Sequence, residues 1–288
     1  MNCQLCDIAF FEGELIYMEI TDKEYKSIVD YVKSNYGINL NGKKTLITGR
    51  LQNYLIKNGY SSYSEFLDKV KSSKTGEEAN KMLNYLTTNH TYFLREQLHF
   101  NYLRDVVLPF LLKKESATKS IKLWSCACST GEEPYTIVMT MEDFFKSQPG
   151  KWDTRILATD ISTQVLGKAR EGIYLNEQLE VLPDRWRKMY FQRHSDVESR
   201  VKDEIRNKVI YKQFNLMSAN YSFKSKFNVI FIRNVMIYFD EQTKRQIVDK
   251  MYNCLDIGGY LFTGMAEVVD KTATKLKYIQ PSIYQKIN

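Results

Sequence analysis

Several stretches of this chain place small, acidic or amide side chains directly after apolar runs. The first is Ser125-Cys126-Ala127-Cys128-Ser129-Thr130-Gly131-Glu132-Glu133. Its small residues let a ligand approach the backbone, and a helix starting there presents N–H groups that lack intrahelical partners. The turn is not G-x-G-x-x-G, and no Walker-type lysine follows it. Glu132 and Glu133 at the helix start would repel a phosphate. The pattern therefore speaks against NAD, FAD and ATP and for a ligand carrying hydroxyls or positive charge. S-adenosylmethionine, with its cationic amino and sulfonium groups, has both. Taken alone, the turn is equally an ordinary helix start.

Asp160 ends a second apolar run, where a carboxylate accepts hydrogen bonds from both hydroxyls of a nucleoside ribose. Its alternative is a helix cap before Ser162. Asn215-Leu216 follows a third run, and Arg233-Asn234 follows a fourth, with Tyr238 one turn further. An Arg and an Asn directly after a buried strand either line a site or cap the next element. In open α/β sheets, ligands sit beyond the carboxyl ends of the strands, so these residues belong together if the runs form one parallel sheet.

The elements needed for that are legible. Strands are expected at Ile121–Cys126, Arg155–Asp160, Val209–Phe214 and Phe227–Ile232, the last a continuous apolar run of the kind found in a central strand. A helix is expected at Ser162–Glu171, and another from Glu241 to Asp256, ending at Gly258-Gly259. Tyr260–Thr263 reads as a strand, and Leu276–Ile279 with Ile283–Ile287 as a closing hairpin. Alternating strands and helices imply a mostly parallel sheet with helices on both faces. Residues 177–206 interrupt the alternation and are too long for a bare loop, so a helix with short antiparallel strands is expected as an insert. A helical stretch carrying Leu98, Tyr102 and Val106 precedes the first strand.

Residues 1–86 read differently, as a small all-helical domain followed by a second domain over 87–288. Thr21 with Glu24 has the spacing of a capping box, and Tyr25, Ile28, Val29, Val32 and Tyr36 form a helical apolar face ending at Gly37. Ile47, Leu51, Tyr54 and Leu55 form a second face, Phe66, Leu67 and Val70 a third behind Ser62 and Glu65, and Ala79, Met82, Leu83 and Leu86 a fourth. Residues 1–17 have no clear place in this bundle, and Met18 directly precedes the capped helix, where a chain could also start.

A chain of 288 residues with 43% hydrophobic and 26% charged residues is ordinary for a soluble globular protein of about two domains. No apolar run reaches the roughly 18 residues that span a bilayer. Five cysteines cannot close a disulfide set, and the acidic N-terminus is a poor export signal, so a reducing cytoplasm is expected. Cys3 and Cys6 lack a second ligand pair at zinc spacing, and no metal is expected. Cys126 and Cys128 read as small buried residues. His90, His99 and His194 show no arrangement as bases or ligands. Net charge is +7, and Tyr31 to Ser64 holds five bases (Lys33, Lys43, Lys44, Arg50, Lys57) and no acid. That segment is either a solvated face or a docking face for an acidic partner.

Four blocks carry a family resemblance. They are Thr87-Thr88-Asn89-His90-Thr91-Tyr92-Phe93-Leu94-Arg95-Glu96, Trp124 through Tyr135, Ala158-Thr159-Asp160-Ile161, and Phe231 through Asp240 with Arg233-Asn234-Val235-Met236-Ile237-Tyr238-Phe239 at its centre. Together they resemble the chemotaxis receptor methyltransferases, the CheR family, from about residue 21 to the end. The resemblance implies an α/β fold: a Rossmann-like class I S-adenosylmethionine methyltransferase sheet with helices on both faces. A small helical N-terminal domain precedes it, and a small antiparallel β-subdomain is inserted. It implies methyl transfer from S-adenosylmethionine to glutamate side chains on the cytoplasmic helices of chemoreceptors, giving γ-methyl esters and S-adenosylhomocysteine. Carried over by motif, Asn89, Thr91 and Arg95 would reach the cofactor, Ala127 and Glu133 its methionine part, and Asp160 the ribose, with Ile161 a further contact. Asn215 and Leu216 would flank the adenine, Arg233 and Asn234 would close the site, and Tyr238 would lie near the methyl. Arg95 and Tyr238 are the implied catalytic residues. For Arg95 the alternative is an ion pair with Glu96 or Glu133; for Tyr238 it is core packing.

The implied chemistry is undemanding, because a glutamate with a pKa of about 4.3 is already ionised at neutral pH and needs no base. The enzyme must align it and exclude water. The expected partner is the cytoplasmic domain of a methyl-accepting chemoreceptor, with no nucleic acid, no membrane insertion and a monomeric state. Two departures stand out. Members that grip a peptide tether on the receptor use a glycine-rich loop in the β-subdomain; here Arg193-His194-Ser195-Asp196-Val197-Glu198 has no glycine and is short, so tether independence is expected. The basic helix keeps Arg50 but has Gln52, Asn53 and Tyr54 where more bases would sit. Methylation of RNA or a small molecule, and a non-enzymatic cofactor-sensing role, are the competing readings; no RNA-binding motif is visible, and Arg95, Asp160 and Arg233 are all present.

Overall fold

A computed structural model of the chain describes residues 18–288, together with two short strands before them, β1 (Phe10–Phe11) and β2 (Glu14–Leu15), which pair antiparallel. Cys3 and Cys6 lie outside the described residues. The chain divides into two compact units, Met1–Thr88 and Asn89–Asn288.

The first unit holds α1 (Asp22–Tyr36), α2 (Lys44–Lys57), α3 (Tyr63–Ser72) and α4 (Glu77–Leu86). The capping box at α1 forms as the spacing requires: the Glu24 carboxylate accepts the Thr21 N–H at 3.0 Å, and the Thr21 hydroxyl accepts the Glu24 N–H at 3.2 Å. The other Glu24 oxygen accepts the Ser64 N–H at 2.9 Å, tying α1 to the start of α3. Ile28, Val32, Ile47, Leu51, Leu55, Phe66 and Met82 are fully buried between the helices.

Arg50 and Lys44, bases of the Tyr31–Ser64 segment, have partners within this unit. The Arg50 guanidinium donates to the carbonyls of Tyr85 (3.4 Å), Leu86 (3.3 Å) and Thr87 (3.1 Å) and to the Thr88 hydroxyl (2.9 Å). It therefore caps the C-terminus of α4, where carbonyls lack intrahelical partners. Lys44 pairs with Asp22 at 2.6 Å.

The second unit opens with α5 (Leu98–Tyr102), which runs through a π-helical turn (Leu103–Val107) into α6 (Leu108–Lys114). Its buried stripe is Phe100, Leu103, Val107 and Leu111, whereas Leu98 and Val106 are exposed. Next come β3 (Leu123–Cys126), α7 (Glu132–Phe145), β4 (Ile156–Asp160), α8 (Thr163–Glu171), β5 (Ile173–Leu175), α9 (Asp184–Tyr190), β6 (Phe191–Arg193), β7 (Glu198–Val201), α10 (Asp203–Arg206), β8 (Val209–Gln213), β9 (Phe227–Ile232), α11 (Glu241–Cys254), β10 (Leu255–Thr263), β11 (Lys277–Gln280) and β12 (Ile283–Gln285). One sheet of seven strands has the order β11-β12-β10-β9-β3-β4-β8. Five adjacent strands, β10-β9-β3-β4-β8, pair in parallel, and β12 and β11 continue the sheet antiparallel on the β10 side. Every residue of β3 and β9 is buried, as a central parallel pair requires. The chain runs from β3 out to β8, then crosses back to β9 on the other side. The order reverses between β3 and β9, which is the switch point where such sheets bind ligands.

The insert is a three-stranded antiparallel sheet in the order β5-β7-β6. It begins at Ile173, earlier than the expected 177, because a strand of three residues leaves no readable periodicity. The second correction concerns α11, which stops at Cys254 and not at Asp256. The chain passes directly into β10, where Leu255 pairs with Phe227 and the register then shifts before Tyr260. Gly258-Gly259 thus marks an irregularity inside a strand and not the end of a helix. Among the described residues, no helix is long and apolar enough to cross a membrane.

Candidate active site

The turn after β3 departs from ordinary backbone conformations. Ala127 and Ser129 adopt positive φ angles of 53° and 50°. Such geometry persists only where its surroundings over-determine it. Here the Cys128 N–H donates to the Thr159 carbonyl at 2.9 Å, the Ser129 N–H to Asp160 Oδ2 at 2.9 Å, and the Ser129 hydroxyl to the Asn89 carbonyl at 3.1 Å. Gly131 follows with φ 99°, and a Cβ there would lie 2.9 Å from Ala169 Cβ and from the hydroxyls of Tyr174 and Tyr211. Only glycine fits this position.

The two acids at the start of α7 have separate tasks. Glu132 is buried and accepts the Thr130 hydroxyl at 2.7 Å; burial pushes its pKa up, against that hydrogen bond. Glu133 reaches the strand ends, accepting the Ser125 hydroxyl at 2.7 Å and Arg233 Nη1 at 2.7 Å.

Asp160 is buried beyond β4. Besides Ser129, it accepts the Ser162 N–H at 2.9 Å. The N-cap of α8 is the Ser162 hydroxyl, which accepts the Val165 N–H, so Asp160 bridges two turns and does not itself cap the helix. Burial raises its pKa, while the N–H groups of Ser162, Ser129 and Ile161 hold it down. A carboxylate has about four acceptor positions, and these amides leave room for hydroxyl donors.

Arg233 has a side chain only 1% exposed. Its guanidinium donates to Glu133, to Glu96 Oε2 at 3.0 Å and to the Arg95 carbonyl, and lies 5.3 Å from the Phe100 ring centroid. It joins the segment before α5 to the helix after β3. Burial raises the pKa of Glu96, but the Arg233 charge and hydrogen bonds from Asn234 and the Met265 N–H carry it below the usual carboxylate range. Asn234 sits at φ 58°, with its side-chain amide 3.2 Å from Glu96 Oε1.

The Arg95 side chain is half-buried. It donates to the His90 carbonyl at 2.6 Å and lies 5.8 Å from the Tyr92 ring centroid. It forms no ion pair with Glu96 or Glu133; that role falls to Arg233. Leu94 and Glu96 flank it with φ 58° and 57°. Thr91 and Asn89 are half-buried in the same segment. Beyond β8, the Asn215 side chain accepts the Met217 N–H at 2.9 Å, and Leu216 is buried with its carbonyl accepting the Tyr221 hydroxyl at 2.5 Å. The Phe214 N–H donates to the Asp160 carbonyl at 2.9 Å, which brings this turn beside the β4 end. Ile161 is half-buried and its carbonyl accepts the Gln213 amide at 2.9 Å. Tyr238 ends a short 3-10 turn (Met236–Tyr238) and is half-buried.

Two structural members of this network were not singled out from sequence, Glu96 and Glu267. Glu267 follows β10 and accepts the N–H groups of Gly264 (2.6 Å), Asn234 (2.8 Å), Met236 (2.6 Å) and Ile237 (3.2 Å). The signal that found Asp160, an acid just beyond an apolar strand, also marks Glu267 after Tyr260–Thr263.

This edge is rich in carboxylates and in turns that expose backbone, and among the described residues it holds no lysine next to the β3 turn. It suits a ligand with hydroxyls and positive charge and offers no phosphate cradle. Residues 23–87 match the family described as CheR methyltransferase, all-alpha domain, and residues 89–284 match CheR methyltransferase, SAM binding domain. The chain belongs to the CheR methyltransferase family. Its relatives include a chemotaxis protein methyltransferase of Borreliella burgdorferi, 37% identical over 93% of this chain and 96% of that one. A probable chemotaxis protein methyltransferase of Rhizobium etli is 38% identical over 84% of this chain and 91% of its own length. The chemotaxis protein methyltransferase of Escherichia coli is 35% identical over 87% and 86%. The cofactor of this CheR chain is S-adenosylmethionine. The residues present are chemically compatible with it: Glu133 is a carboxylate that could meet a cationic group, and buried Asp160 one that could accept from hydroxyls.

Proposed function

We propose that this CheR methyltransferase esterifies glutamate side chains on the cytoplasmic helices of chemoreceptors. The observation that carries the reading is family membership across both units, with relatives named chemotaxis protein methyltransferases aligned along nearly the whole chain. The site chemistry agrees. Among the described residues, its carboxylates each hold protein donors: Asp160, Glu133, Glu96 and Glu267 bind backbone amides, hydroxyls or Arg233. His99 is buried, with burial and the Arg233 charge lowering its pKa to about 4. Such a site is poorly equipped to remove a proton and well suited to a nucleophile that is already an anion.

When bound, S-adenosylmethionine supplies an electrophilic methyl group on a sulfonium. The residues of the chain supply position. In this reading Asp160 holds the ribose, with Ile161 beside it, and Asn215 and Leu216 flank the adenine. Ala127 and Glu133 meet the methionine part, and Asn89 and Thr91 reach in from the opposite segment. Arg233 and Asn234 close the site from behind. Arg95, which pairs with no carboxylate among the described residues, is the cation available to orient an incoming glutamate. Tyr238 lies beside the transferred methyl. Positioning of this kind removes on the order of 7–11 kcal/mol of barrier in well-oriented systems.

We further infer that the receptor tether is not required. The loop between β6 and β7 is a short turn in which the N–H groups of His194 and Ser195 both donate to the Glu198 carbonyl at 3.0 Å, and no glycine widens it. The test is transfer of labelled methyl from S-adenosylmethionine to purified receptor cytoplasmic fragments with and without their C-terminal peptide. Base-labile label at equal rates on both is expected. Label stable to base would sink the glutamyl ester, and loss of rate on the truncated fragment would sink tether independence.

A further inference from the structure

We propose that Glu267 is a positioning residue of the methyl-transfer site, whose carboxylate sets the backbone of Asn234–Tyr238 from a strand away. The inference rests on the reading that this segment faces the cofactor and substrate.

Four backbone N–H groups converge on this one carboxylate. Oε2 accepts those of Asn234 at 2.8 Å and Gly264 at 2.6 Å, and Oε1 accepts those of Met236 at 2.6 Å and Ile237 at 3.2 Å. The Met236 and Ile237 groups open the 3-10 turn that carries Tyr238, so Glu267 caps that turn from a distant part of the chain. Asn234 is the residue at φ 58°, an unfavourable conformation that needs an external hold. Glu267 is buried. Burial raises its pKa, and the same N–H groups oppose that rise. Charge-assisted hydrogen bonds from backbone amides are among the strong ones, so the carboxylate and the loop order each other.

The fit around the pin is tight. A Cβ on Gly264 would lie 2.7 Å from Glu267 Oε2 and 2.7 Å from the Asn234 side-chain amide. Asn234 is thus held at its N–H by Glu267 and at its side chain by Glu96, and Glu96 also receives the Met265 N–H at 3.2 Å. The turns after β9 and β10 form one unit, and the carboxylate at its centre holds backbone N–H groups from both.

The experiment compares wild type, Glu267→Gln and Gly264→Ala. A carboxamide keeps one acceptor oxygen and turns an NH2 toward the other pair of donors, while the alanine pushes the carboxylate aside without changing charge. S-adenosylhomocysteine affinity is read by calorimetry well below each variant's melting temperature, and kcat and KM on receptor fragments are read alongside. The expected result is at least a tenfold loss of affinity in both variants, with kcat falling more than KM for the receptor. A residue that only stabilises the fold would lower the melting temperature and leave affinity and kcat within twofold of wild type, which overturns the proposal. If neither variant folds, hydrogen exchange in the wild type decides. Joint protection of the amides of Asn234, Met236, Ile237 and Gly264 supports the pin, and exchange at loop rates overturns it. Failure of the wild type to bind S-adenosylhomocysteine would count against the reading of the site, while the exchange result would still judge Glu267.

Discussion

Arg233 and Asp160 sit at the ends of neighbouring parts of one sheet, yet they meet their surroundings in opposite ways. Arg233 directs its guanidinium at Glu133, Glu96 and the Arg95 carbonyl and is closed off from solvent. Its planar fork spreads donors toward three separate partners, where a lysine would offer one compact point charge. Asp160 has its amide donors in place, those of Ser129 and Ser162 at 2.9 Å, and acceptor capacity to spare. Replacing it by Asn keeps the shape and removes the charge. Hydrogen bonds to charged groups contribute about 1.5–3 kcal/mol, so Asp160→Asn should weaken S-adenosylhomocysteine binding roughly thirtyfold by calorimetry. Unchanged affinity would remove Asp160 from the cofactor site. At this scale the sequence was informative where a polar residue follows an apolar strand, which is how Asp160, Asn215 and Arg233 came to notice. It was silent on which of them would face a ligand and which would face a neighbour, because that depends on partners such as Glu96, Glu133 and Glu267 brought in from other strands. The same silence hid the fate of Arg95, whose alternative reading, an ion pair with Glu96 or Glu133, is taken up by Arg233 instead.

Among the elements, strongly periodic helices and continuous apolar strands were legible, and short or interrupted ones were not. β9 and the capped helix α1 stand where their patterns put them. β5, with three residues, and the passage from α11 into β10 were misjudged because Gly258-Gly259 reads as a helix stop when tertiary pairing to β9 is unknown. Leu98 and Val106 are spaced like a buried face, yet the π turn between α5 and α6 accompanies a stripe on other residues. Charge is deceptive at this level too. Arg50 stands in a segment without acids and looks like a docking base, but it satisfies the last carbonyls of α4. Cations at helix C-termini contribute typically 0.3–1 kcal/mol, so Arg50→Ala should destabilise the first unit by about 1 kcal/mol in urea unfolding and leave S-adenosylhomocysteine affinity unchanged. A variant with full stability and lost receptor methylation would return Arg50 to a docking role.

For the molecule as a whole, pH reaches the fold through a residue with no catalytic task. His99 is buried against Phe262, and neither ring nitrogen has a hydrogen-bond partner among the described residues. Burial, then the Arg233 charge, lowers its pKa to about 4, with Glu96 opposing. The unfolded chain takes up a proton near the ordinary pH 6.5, whereas the folded chain resists it. Stability is therefore intact above pH 6.5 and is lost as pH falls toward 4. At pH 5 the loss from this group is about 2 kcal/mol. Urea titrations of wild type and His99→Phe at pH 7.5 and pH 5 should show the wild type losing that much relative to the variant. Parallel behaviour of the two proteins would show that His99 does not carry the effect.

The pin at Glu267 also has a consequence for biosynthesis. The turns that build the site are spread from Asn89 to Glu267, and the residue that holds Asn234–Tyr238 is translated after all the strands it serves. A ribosome-bound chain that has already released β3, β4 and β9 carries Asp160 and Arg233 but not the carboxylate that orders the loop between them and α11. Cofactor affinity should accordingly be acquired in one step once Glu267 has emerged, and chains stopped short of that point would be left without a ligand to protect them from proteases.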